Sequence, residues 1–129
     1  MENKASNPVG WFEIYVDDMD RAAKFYESVF KTKLEQMSDP ANQSMQMRAF
    51  PGNIEGYGTP GALVKMDGMK VGGNNIIIYF ACEDCAVEQG RIKAAGGKVC
   101  NPKMPIGEYG FCSIVADTEG NTIGLHSMK

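Results

Sequence analysis

Val16-Asp-Asp-Met-Asp-Arg-Ala-Ala-Lys-Phe-Tyr26 ends a run of β-branched and aromatic residues and opens an amphipathic helix. Ahead of it, Val9–Val16 alternates and is rich in β formers, which reads as a strand. Asp17 or Asp18 stands where a helix needs its N-cap, and Asp20 adds negative charge near the positive end of the helix dipole. Ala22, Phe25, Tyr26, Val29 and Phe30 recur at helical spacing and form one apolar stripe. Such a stripe has to be buried against a sheet. Sixty-six residues on, Cys82-Glu-Asp-Cys-Ala-Val-Glu-Gln-Gly-Arg-Ile92 repeats the design after Ile76-Ile-Ile-Tyr-Phe80. A strand-to-helix unit duplicated at about half the chain length implies two similar modules.

Working outward, Lys33–Met37 and Ser44–Phe50 read as strands joined by the polar turn Ser38-Asp-Pro-Ala-Asn42. Pro51–Pro60 is a Gly-rich loop, Gly61–Met66 a fourth strand, and Asp67–Gly73 a linker with three glycines. In the second half, Asn75–Ala81 is a strand, and Asp84 caps a helix that stops at Gly96-Gly97. Lys98–Asn101 follows as a short strand, then a turn over Pro102–Gly107 and a strand over Tyr109–Ala116. Asp117-Thr-Glu-Gly120 is a turn and Asn121–Ser127 the last strand. Each half is thus strand, helix, strand, strand, strand. The expected fold is α+β, one domain over 1–129 with modules at about 8–66 and 74–128.

Bulk composition narrows the partners. A formal charge of -3 with no basic stripe gives nothing to neutralise nucleic-acid phosphates,. No apolar run approaches the ~20 residues that span a bilayer. The polar start Met1-Glu-Asn-Lys-Ala-Ser-Asn-Pro8 has no apolar stretch of the secretory kind, so a cytoplasmic location is expected. Four cysteines (Cys82, Cys85, Cys100, Cys112) are then expected as free thiols,.

Three segments carry a family resemblance: Val16–Tyr26, Ala94-Ala-Gly-Gly-Lys-Val99, and Asp117-Thr-Glu-Gly-Asn-Thr-Ile-Gly-Leu125. Together with the element order, they make residues 8–127 resemble the vicinal oxygen chelate superfamily of glyoxalase I, extradiol dioxygenases and bleomycin-resistance proteins. Asn7-Pro-Val-Gly-Trp-Phe-Glu-Ile14 and Pro105-Ile-Gly-Glu-Tyr-Gly-Phe111 look most similar to its glyoxalase-related, bleomycin-resistance-like branch. The resemblance implies two βαβββ modules forming a curled mixed sheet around a cavity, and often a homodimer. It also implies a divalent cation in the metal-dependent members, held by His or Gln on the first strand of each module and Glu on the last.

Those positions hold Trp11, Ile77, Gly124 and, on the fourth strand, Ala62. None can ligate through its side chain, because a hard or borderline cation needs oxygen or nitrogen donors. No metal and no other cofactor is therefore expected. Strand parity then proposes what lines the pocket. If Trp11 faces inward, so do Glu13 and Tyr15; if Ile77 does, so does Tyr79; if Gly124 does, so does His126. Tyr109, with Glu108 beside it, joins them by resemblance, since that segment borders the cavity in the related branch. Aromatics with one acid suit a planar or cationic ligand. His126, the single histidine, and Glu13 are the candidate acid–base pair. Met45 and Met47 share a face and fit core filling better than a pocket.

Cys82-Glu-Asp-Cys85 has C-x-x-C spacing at a helix start, but Cys82 falls in the slot of Val16, where a small core residue belongs. The neighbouring acids also raise a thiol's pKa. The expected function is metal-independent binding of a small organic molecule. The alternative is a glyoxalase-related lyase or isomerase working by side-chain acid–base chemistry, ahead of a metal-dependent lyase or dioxygenase.

Overall fold

The structure is a computed structural model describing residues 7–37, 44–53 and 55–129. The expected turn at Ser38–Asn42 lies outside the described residues. The first half runs β1 (Phe12–Tyr15), α1 (Met19–Phe30), β2 (Glu35–Gln36), β3 (Met45–Ala49) and β4 (Gly61–Met66). The second half runs β5 (Tyr79–Ala81), α2 (Cys85–Gln89), β6 (Lys98–Pro105), β7 (Phe111–Ala116) and β8 (Thr122–Ser127). This is an α+β fold with two mixed four-stranded sheets, ordered β1-β4-β3-β2 and β5-β8-β7-β6. The sheets do not close on each other, and β1 and β5 are edge strands.

The internal repeat is visible in the ladder itself. β1 lies parallel to β4 with Glu13 opposite Ala62, and β5 lies parallel to β8 with Tyr79 opposite Gly124. Val16 N–H donates to the Val64 carbonyl at 2.9 Å, and Cys82 N–H to that of His126 at 2.7 Å. Position 11 therefore corresponds to 77, and 62 to 124.

Helix α1 forms as its sequence demands. Asp18 is extended (φ -127°) and its carboxylate accepts from Arg21 N–H at 3.0 Å, satisfying one orphan donor of the first turn,. Ala22, Ala23, Phe25, Tyr26 and Val29 are all buried. Phe80 of the second module inserts among the aromatics of the first, stacked on Phe30 at 4.6 Å between centroids and near Tyr26 at 5.8 Å. Helix α2 is shorter than its sequence suggests. It ends at Gln89, and turns carry the chain through Gly96. Gly90 stands where a continuing helix would want a better helix former. Gly97 is required sterically, because a Cβ there would run into the Ala116 carbonyl oxygen.

Several strands also differ in extent: β2 keeps only Glu35–Gln36 of the expected Lys33–Met37, and β7 starts at Phe111. β1 and β5 cover only the residues that find partners on β4 and β8. β6 runs on to Pro105 through the expected turn, because an edge strand tolerates Pro102 at the register shift between Asn101 and Met104 and Pro105 at its last residue,. The turn falls instead at a 3-10 segment, Gly107–Tyr109.

The hairpin turn between β7 and β8 locks the modules together. The Glu119 carboxylate, fully enclosed, accepts from Asp17 N–H (3.0 Å), Asp18 N–H (3.1 Å), Thr118 Oγ1 (2.9 Å) and Arg21 Nε and Nη2 (2.6 and 2.8 Å). Asp117 accepts from Tyr26 Oη at 2.7 Å and from the amides of Glu119 and Asn121 at 2.8 Å each. Asn121 Nδ2 donates to the Tyr15 carbonyl at 3.0 Å. No helix among the described residues is long and apolar enough to cross a membrane.

Candidate functional site

Along β1 and the residue on each side of it, alternation puts Trp11, Glu13 and Tyr15 on one face, while Phe12, Ile14 and Val16 pack into the core,. The three make a ladder. The Trp11 indole N–H donates to Glu13 Oε2 at 3.1 Å, and the Tyr15 hydroxyl donates to Glu13 Oε1 at 2.9 Å. Glu13 thus has a partner on each oxygen and keeps lone pairs toward solvent. The bond to Glu13, then burial, then the charge of Glu13 raise the Tyr15 phenol above its ordinary value, so it remains a donor.

On the second module, Tyr79 and His126 lie on the corresponding face. His126 Nε2 sits 2.7 Å from the Tyr109 carbonyl oxygen. A carbonyl only accepts, so Nε2 carries the proton and, in the neutral ring, Nδ1 keeps its lone pair. The Tyr79 ring covers Gly124: a Cβ added there would meet it at 2.3 Å. A glycine in mid-strand marks such a close approach.

These residues do not share one hollow. A cleft of about 350 Å3 is lined by Glu13 and Tyr15 with the linker and the start of β8. A larger one, about 650 Å3, is lined by Tyr79, Tyr109 and His126 together with Val9, Phe12 and Tyr57. Trp11, Ile77 and Gly124 line neither; Trp11 and Ile77 are exposed beside them. The residues expected around a single pocket are therefore divided between two clefts. Glu13 and His126 do not meet within one chain. Glu108 is exposed and lines neither cleft, while Met45 and Met47 are half-buried in sheet pairs with Met66 and Val64. Sequence reasoning missed Val9 and Tyr57, which carry no motif, and Lys70, which sits in a linker read only as glycine-rich.

The donor set does not fit a divalent cation at the positions the family pattern indicates. Trp11 offers only an N–H, already given to Glu13; Ile77 and Ala62 offer nothing; and the Tyr79 ring occupies the space a side chain at 124 would need. No group of three or more His, Cys, Asp or Glu among the described residues is placed to hold a metal. The C-x-x-C pair is no better suited to chemistry. Cys85 is buried, and burial followed by the charge of Glu88 pushes the Cys82 thiol up to about 12. It is a thiol, not a thiolate, at neutral pH.

Comparison with known proteins agrees with this architecture. A mutant of glyoxalase I from Zea mays superimposes with a TM-score of 0.73 at 21% identity, covering 94% of this chain and 46% of the maize chain. The present chain thus spans less than half the length of that protein. A glyoxylase/bleomycin resistance protein/dioxygenase domain from Frankia sp. gives 0.68 at 15% identity, covering 97% of this chain and 100% of the other. A glyoxalase-related enzyme from Fulvimarina pelagi gives 0.65 at 17% identity, with 95% and 88% covered. At these identities the likeness is one of fold. Among curated proteins, no sequence matches significantly. A family model matches residues 9–125, and the chain belongs to the glyoxalase/bleomycin resistance protein/dioxygenase superfamily.

Proposed function

We propose that the protein binds a small organic molecule without a metal, in the 650 Å3 cleft of Tyr79, Tyr109 and His126. The observation that carries this reading is the Tyr79 ring seated on Gly124, which puts an aromatic surface where a metal-dependent relative needs a carboxylate. The cleft falls within the roughly 300–1,000 Å3 of small-ligand sites, and its mostly apolar wall with one imidazole suits a planar ligand with a single polar group. A homodimer and a cytoplasmic location belong to the proposal. Trp11, Ile76, Ile77 and Tyr79 leave an apolar band in the open, and all four cysteines are free,.

A thermal-shift screen of small aromatic and heteroaromatic compounds, run with and without chelator, tests the reading. Stabilisation by a ligand, indifferent to chelator and lost in Tyr79→Ala, is expected. Stoichiometric zinc, nickel or iron in the purified protein, with binding abolished by chelator, overturns it. A second reading, an enzyme of lyase or isomerase type, is favoured by the fixed tautomer of His126, whose Nδ1 is left to accept a proton,. Its test is turnover of a bound compound that His126→Ala abolishes.

A further inference from the structure

The smaller cleft shares only Ile78 with that site and none of Tyr79, Tyr109 or His126. Its floor is aliphatic, built from Ile14, Val71, Ile78 and Ile123, with Ile76 exposed at the edge. Its rim is polar and carries both signs of charge. Glu13 stands on β1 and Lys70 on the linker that leads out of β4. Tyr15 and Trp11 orient the Glu13 carboxylate and leave its outward lone pairs available. The Lys70 ammonium has no ion pair with any described residue, and none joins it to Glu13 although both line one cleft. The wall is anchored. Asn74 Oδ1 accepts from Thr122 N–H at 2.9 Å and its Nδ2 donates to the Thr122 carbonyl at 3.1 Å, pinning the linker to β8.

We propose that this cleft binds a free α-amino acid with an aliphatic side chain. Glu13 takes the ammonium, Lys70 takes the carboxylate, and the side chain lies on the isoleucine floor. A ligand of single charge engages one rim group, and a purely apolar ligand engages neither. An amino acid pairs both and covers the aliphatic surface as well. About 350 Å3 is at the small end of ligand sites, which suits a molecule of this size and excludes a nucleotide or a peptide of several residues,.

Calorimetric titration with leucine, N-acetylleucine and leucinamide, on the full chain, tests the proposal. Leucine is expected to bind, with each blocked derivative about tenfold weaker, the loss of one charge-assisted contact. Glu13→Gln should remove the preference for leucine over N-acetylleucine and leave that over leucinamide; Lys70→Met should do the converse. Both residues are exposed, so the variants should fold, and circular dichroism checks this. Absence of leucine binding, equal binding of all three compounds, or loss of leucine binding in Tyr79→Ala with Glu13→Gln unaffected, each overturns it.

Discussion

Glu119, at the end of β1 where α1 begins, and Glu13, on β1 itself, are two carboxylates with opposite fates. Glu119 lies inside the joint between the modules, with two backbone amides, a hydroxyl and a guanidinium on its two oxygens. Glu13 stands at the surface with one indole N–H and one phenol O–H. The first is saturated and has no capacity left for a ligand. The second is oriented but open. The difference comes from the turn, since Asp117–Asn121 reaches across to the start of α1 and meets the Asp17 and Asp18 amides and Arg21 there, while the Glu13 side chain is exposed. A carboxylate's role in this fold follows from which module supplies its donors: the opposite one for a structural acid, its own strand for an available one.

Removing the saturated partner should have the largest effect. Glu119→Ala strands the amides of Asp17 and Asp18 together with Arg21, and is expected to lower unfolding free energy by about 3 kcal/mol in urea titration. An undiminished midpoint would mean that the turn does not join the modules. Acid should act on the same group. Burial raises the Glu119 carboxyl, but the ion pair with Arg21, the Asp18 amide, the Thr118 hydroxyl and the Asp17 amide together outweigh it and hold it at about 2. Its folded value is thus below the unfolded value of 4.5. Its contribution is present above that unfolded value and is lost as pH falls toward about 2. Glu119→Gln should flatten this part of the stability profile, and an unchanged slope would remove Glu119 as its source. A smaller loss, about 1–2 kcal/mol, is expected for Tyr26→Phe, because Asp117 keeps its other donors,. Burial, then the charge of Asp117, holds the Tyr26 phenol well above its ordinary value, so no alkaline weakening through Tyr26 should appear near neutrality.

Much of the fold was legible because its signals are local and periodic. The helical stripe from Ala22 to Phe30, the caps Asp18 and Asp84, and the repeat spacing all depend on neighbours in sequence. Strand parity also placed Trp11, Glu13 and Tyr15 on one face. The joint was not legible. Glu119 reads as one acid in an ordinary turn, and its partners are about a hundred residues away. The same holds for the site. Parity says which side of a strand a residue faces, not which other sheet it meets, so residues expected around one hollow are split between two clefts, with Trp11 in neither. Pro102 looked like the start of a turn because the exposed, irregular edge that admits it exists only once β6 has found β7.

The smallest stability effect should come from the open acid, and it sharpens the contrast most. Glu13→Gln keeps the shape of the side chain and an acceptor for Trp11 or Tyr15 while removing the charge. An exposed group with its contacts on its own strand should change unfolding free energy by no more than about 0.5 kcal/mol. Its environment should nonetheless respond. Trp11 is the single tryptophan and its indole touches Glu13 at 3.1 Å, so its emission reports on that carboxylate directly. Denaturation followed by circular dichroism should give wild-type midpoints while Trp11 fluorescence in the native state shifts. A midpoint that drops as far as in Tyr26→Phe would show that Glu13 is structural after all, and would erase the distinction between the two acids.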